Sequence, residues 1–116
     1  VTDAANLARG RWGEQLAARW YQQRGYEVVS RNWRCVGGEI DLVVERDGVV
    51  VIVEVKARRS EAFGAAVLAV DARKQARLRR LAMAWVAAER PGARVPLRFD
   101  VAAITGTALT VYEGAF

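Results

Sequence analysis

The sequence has no histidine, a single cysteine (Cys35), two prolines and one methionine, and only Lys56 and Lys74 are lysines among its 18 basic residues. Without histidine there is no Ser-His-Asp or Cys-His nucleophile and no histidine general base. With one cysteine there is no Cys/His zinc cage and no intramolecular disulfide. Any chemistry must therefore be run by carboxylates, lysine and arginine. No apolar run reaches the ~18 residues of a membrane span, and the polar opening from Val1 to Asn6 does not read as a signal peptide. A lone cysteine suits a reducing compartment. No membrane contact and a cytoplasmic location are expected.

What remains is an ordinary globular composition. The 116 residues are 53% hydrophobic and 27% charged, enough for one packed domain over residues 1–116 and too few for two. A net charge of +5 and a pI of about 10.1 favour a polyanionic partner. Ala4 to Arg24 reads as a helix. Leu7, Glu14 and Tyr21 recur on one stripe with Ala17 and Ala18, and Trp12, Leu16 and Trp20 form a second. Gly10 and Gly13 weaken its N-terminal half, and Gly25 stops it. Tyr26 to Arg34 reads as a strand broken by Gly37-Gly38. Ile40 to Arg46 and Val49 to Val55 are the clearest strands, joined at Asp47-Gly48, a strong hairpin signal. Asp71 reads as the N-cap of a helix whose inner face is Leu78, Leu81, Ala82, Trp85 and Val86, ended by Pro91-Gly92. Leu97 to Ile104 and Leu109 to Tyr112 complete an α-β-β-β-α-β-β order. A meander followed by a crossover helix implies a mixed sheet with its third and fourth strands parallel, an α/β domain.

A two-residue loop at Asp47-Gly48 places Asp41 opposite Glu54 and Glu39 opposite Lys56, all on one face by strand alternation. Ile40, Leu42 and Val44 then share the other face with Val51, Val53 and Val55 as core. Opposed carboxylates repel, and burial would raise one pKa. A divalent cation removes that conflict. Mg²⁺ and Mn²⁺ take oxygen ligands, often one or two carboxylates with water and phosphate oxygens. Lys56, two residues beyond Glu54, can hold the attacking water and stabilise phosphate charge. Asp41, Glu54 and Lys56 thus read as a metal-assisted phosphodiesterase site. The competing expectation is a Glu39–Lys56 ion pair on a solvated face, with Asp41 and Glu54 simply exposed.

The ordered set Gly10-x-x-Gly13-Glu14, Arg31-Asn32-Trp33-Arg34, Gly38-Glu39-Ile40-Asp41-Leu42-Val43, Val53-Glu54-Val55-Lys56-x-Arg58, Phe63-Gly64, Lys74-Gln75, Arg98-Phe99-Asp100-Val101 and Ala115-Phe116 resembles the YraN-type family of small bacterial proteins over nearly the whole chain. The resemblance implies a restriction-endonuclease-like fold of the PD-(D/E)XK superfamily, similar to archaeal Holliday junction resolvases. In those, a helix glutamate, a strand aspartate and an E-x-K pair form the metal site, and these map onto Glu14, Asp41, Glu54 and Lys56. Ile40 stands where the superfamily's name has proline, which the resolvase-like branch often lacks. Glu14 shares the core-facing stripe of Leu7 and Tyr21, so it needs a partner, either as a ligand or in a pair with Arg11 or Arg31.

Arg31, Arg34, Arg58 and Arg59 flank the carboxylate end of the sheet and are expected to contact phosphates. Lys74 and Gln75 open the second helix, where free N–H groups favour an anion. Trp33 is expected to pack. The function expected is a metal-dependent endonuclease on structured DNA, using Mg²⁺ or Mn²⁺. The alternatives are a non-catalytic nucleic-acid-binding module and a protein-interaction domain. A homodimer using the Trp12–Trp20 stripe or the Ala115-Phe116 end would supply two sites for two strands.

Overall fold

Two residues turn the central hairpin. Asp47 (φ 53°) and Gly48 (φ 80°) both take the left-handed conformation, the geometry whose twist matches the strands it joins. The computed structural model describes residues 2–58 and 70–116, with side chains from Gly10 to Ala57 and from Val70 onward. Its elements are α1 (Thr2–Gln23), β1 (Glu27–Cys35), β2 (Gly38–Arg46), β3 (Val49–Arg58), α2 (Ala72–Glu89), β4 (Leu97–Thr105) and β5 (Ala108–Tyr112). This is the α/β order expected. The strands form one sheet in the order β1-β2-β3-β4-β5. β3 and β4 run parallel and the other neighbours antiparallel.

Two strands run more than one residue past their expected ends because a neighbour supplies hydrogen bonds. β3 continues to Arg58 along β4, with Lys56 opposite Ala103 and Arg58 opposite Thr105. β2 starts at Gly38 because Gly38 and Glu39 pair with Cys35 and Arg34 of β1.

Helices cover both faces of the sheet. Ala17, Ala18 and Tyr21 of α1 pack on Leu42, Val44, Val51, Val53 and Ala102. Leu78, Leu81, Ala82 and Trp85 of α2 pack on Ile40, Val43, Val50, Ile52 and Val101. The hairpin is therefore apolar on both faces over most of its length. Asp71 caps α2 as expected, its Oδ1 accepting the Lys74 N–H at 2.9 Å. Gly13 lies where α1 comes nearest the sheet, and a Cβ there would stand 2.9 Å from Ile104 Cδ1. That glycine permits close approach and does not break the helix.

A buried carboxylate joins three elements. Asp100 on β4 is fully buried. It accepts from the Tyr21 hydroxyl of α1 at 2.6 Å, from Arg98 Nε at 2.9 Å and from the Gly114 N–H at 3.0 Å. Burial and the Asp100 hydrogen bond both push the Tyr21 hydroxyl pKa up, so it remains a donor. The C-terminal end folds back onto the α2 side: Ala115 N–H donates to the Phe99 carbonyl, and the Phe116 ring stacks on Phe99. Trp33 packs on that same cluster, as expected. Among the described residues no helix is long and apolar enough to cross a membrane.

Candidate active site

The site begins with a break in the sheet. The β2–β3 ladder follows the expected register from Arg46↔Val49 to Leu42↔Val53 and then stops. Beyond Leu42, β2 stays with β1 through Trp33↔Ile40 and Arg34↔Glu39. Between Arg31↔Leu42 and Trp33↔Ile40, opposite Asp41, lies Asn32, in a left-handed conformation (φ 49°) that few non-glycine residues adopt. Strand alternation slips here. Leu42 and Val44 face α1, whereas Ile40 joins Val43 on the α2 side. The expectation that Ile40 shares a face with Leu42 and Val44 is thus corrected. The kink at Asn32 and Asp41 resets the phase of the strand.

Where the ladder stops, Asp41 replaces a main-chain partner, its Oδ2 accepting the Val55 N–H at 2.8 Å. The Asp41 and Glu54 carboxyl groups stand within hydrogen-bonding reach of each other. Burial first, then the Glu54 charge, push the Asp41 pKa up to about 7, with Glu14 adding to the rise. Lys56 Nζ lies 3.6 Å from Glu54 Oε1, and both side chains are largely buried. The expected Glu39–Lys56 juxtaposition does not form. Glu39 follows β1 and pairs with Arg34 at 3.5 Å, which leaves Lys56 to the carboxylate pair. The solvated-face alternative is overturned with it.

Across the cleft, α1 contributes Glu14. Its pKa is raised, chiefly by burial, and lowered in part by a hydrogen bond from the Asn32 side chain and by Arg11 and Arg31. Glu14, Asn32 and Asp41, together with Arg11, Gln15, Arg31 and Leu42, line a cavity of about 220 Å³. An adjoining hollow adds Arg34 and Glu39 to its wall. The arrangement is a carboxylate core rimmed by guanidinium groups. Such a cleft suits a hard cation at its floor and an anion at its mouth.

Not every expected residue converges there. Among the described residues, no three potential ligands close on a single point, so Glu14 shares the cleft without completing a three-ligand cage. Lys74 and Gln75 sit at the start of α2, with the Gln75 amide donating to the Val70 carbonyl at 3.0 Å. The Arg58 side chain, Arg59 and Phe63-Gly64 lie outside the described residues. Asn32 was missed as a site residue. Its signal was asparagine's tolerance of the left-handed region, at a position that read as mid-strand.

The family model described as Uncharacterised protein family UPF0102 matches residues 13–104, a span that contains Glu14, Asn32, Asp41, Glu54 and Lys56. A UPF0102 protein of Beutenbergia cavernae is 50% identical over 89% of this chain and 86% of its own. One from Roseiflexus castenholzii is 48% identical over 83% and 77%. A third, from Acidothermus cellulolyticus, is 41% identical over 99% and 98%.

Proposed function

The chain belongs to Uncharacterised protein family UPF0102, and for it we propose metal-dependent hydrolysis of phosphodiester bonds in structured nucleic acid, DNA above all, on a restriction-endonuclease-like core. The observation that carries this reading is the Asp41–Glu54 pair. Two carboxyl groups are held together in a break of the sheet, one with its pKa pushed up to about 7, and a lysine stands 3.6 Å from the other. A pair of carboxylates that repel when ionised is a site waiting for positive charge. Its donor set is all oxygen, which fits Mg²⁺ or Mn²⁺ and does not favour softer metals.

Asp41 and Glu54 would hold the ion, which would supply an acidified water and neutralise charge on the phosphate. The chain's own residues do the rest. The Val55 N–H donates to Asp41 Oδ2 and so fixes that carboxyl group. Lys56 orients the water for in-line attack and stabilises developing charge on the phosphate. Glu14, beside Asn32, faces the same cleft, where it would hold a water of the ion. Arg11, Arg31 and Arg34 grip the phosphates on either side, contacts that carry affinity without sequence preference. Arg58 and Arg59, which follow Lys56 in the chain, and Lys74 and Gln75 extend that grip.

The test is cleavage of single-stranded, duplex, flapped and four-way-junction substrates with Mg²⁺ or Mn²⁺. Lys56→Ala should lower the rate by about 10²- to 10⁴-fold, the usual worth of a positioned proton-transfer group, while Mn²⁺ still binds. Asp41→Asn should weaken both binding and cleavage. Salt-dependent binding to every substrate, with none cut under either metal, would leave a non-catalytic module and end the hydrolytic reading.

A further inference from the structure

On the outer side of α1, Arg11, Trp12, Gln15, Leu16 and Arg19 line a shallow depression of about 320 Å³. The Trp12 side chain is 44% exposed, an unusual setting for an indole. At 3.6 residues per turn, Arg11 and Gln15 form a ridge one turn long. Glu14 lies on one flank of it, over the carboxylate cavity, and Trp12, Leu16 and Arg19 lie on the other. The ridge residues line both hollows, which therefore adjoin across them. Among the described residues, the outer hollow has two guanidinium groups and no carboxylate in its lining.

We infer that this hollow seats one unpaired nucleotide of the substrate strand, its base stacked on Trp12 and its flanking phosphates held by Arg11 and Arg19. The two arginines select an anion, and the exposed indole beside half-buried Leu16 selects a planar aromatic group. A single nucleic-acid strand offers both in every residue, and base–aromatic stacking tolerates any sequence. A paired base does not qualify, because its faces are already stacked within the duplex. A strand leaving the cleft across the Arg11–Gln15 ridge reaches Trp12 directly. The inference rests on the hydrolytic reading for the position of the cut. It narrows the substrate class to nucleic acid with an unpaired base beside that position: a flap, a branch or a single-stranded segment.

The experiment compares wild type, Trp12→Ala and Trp12→Phe in EDTA, where no cleavage can occur. Affinity for a fluorescein-labelled oligothymidylate is measured beside that for a blunt two-strand duplex of equal length. Trp12→Ala should weaken oligothymidylate binding about 5- to 150-fold, the range one stacked base is worth. Trp12→Phe should keep most of the affinity, and neither change should alter duplex binding. An unchanged melting temperature shows that the variants fold, as expected for an exposed side chain. Equal losses on both probes, or no loss on either, would overturn the inference, as would sedimentation showing that Trp12→Ala only splits a dimer. Cleavage assayed in parallel separates the two ideas. Selective loss of single-strand binding in a protein that cuts nothing leaves the seat standing and removes the hydrolysis. Unimpaired single-strand binding by Trp12→Ala in an active nuclease does the reverse.

Discussion

Burial makes an ionised Asp41 costly, and Glu54 makes it costlier, so in the metal-free protein this carboxyl keeps its proton to a pH of about 7 against an ordinary 3.8. Between those values the folded chain holds a proton that the unfolded chain has released. Stability must therefore fall as pH rises through this window and stay low above it. No histidine titrates there, and Glu14, also shifted upward, acts in the same direction. In EDTA, wild type should lose roughly 1–4 kcal/mol between about pH 4 and pH 8 relative to Asp41→Asn, read from urea midpoints. Saturating Mn²⁺ should cancel the loss in wild type and leave the variant unmoved. Asn32 is the second residue whose chemistry can be isolated. Asn32→Ala places a Cβ-bearing residue without a compensating polar group at φ 49°, at about 1–2 kcal/mol. Asn32→Gly avoids that strain yet still removes the hydrogen bond to Glu14. Cleavage should drop in both variants, and stability chiefly in the alanine one.

At the level of elements, the Asp47-Gly48 hairpin was legible because its loop chemistry admits one geometry, and the register followed from loop length. The break at Asp41 was not legible. Alternation arguments assume an unbroken ladder, and a strand that leaves one neighbour for another keeps its hydrophobic residues while changing their faces. Ile40 is the case in point: apolar and buried as read, but under α2. The same limit gave Lys56 the wrong partner. Gly13 shows the opposite error, a residue read as weakening α1 that in fact lets it reach the sheet. Gly13→Ala gains about 1 kcal/mol of helix preference and asks only the Cδ1 end of Ile104 to move, so it should shift stability by less than about 1 kcal/mol. Ile104→Val removes the Cδ1 that a new Cβ would meet. The double variant should then be more stable than the sum of the two single changes predicts, a coupling that thermal or urea melts measure.

For the molecule as a whole, charge and composition pointed to a polyanionic partner and a carboxylate site, and the carboxylates and lysine of the E-x-K hairpin do come together. What composition could not show was the second helix-covered face, because a sheet with helices on both sides needs long-range packing that no local window records. Asp100 entered the sequence reading only as part of the Arg98-Phe99-Asp100-Val101 motif, with no role of its own. A carboxylate within a hydrophobic run becomes a buried anchor only when Tyr21, Arg98 and Gly114 arrive from distant parts of the chain. That anchor bears on the cleft mechanically. Tyr21 is seven residues, or about 10 Å of helix, from Glu14, and it fixes α1 to β4 at that distance. This stretch of α1 is thus pinned to the sheet at both ends, by the Tyr21–Asp100 hydrogen bond and by the close approach at Gly13 beside Glu14. Held twice, it cannot rock over Asp41. A buried carboxylate outside the cleft thereby helps to set the cleft's width.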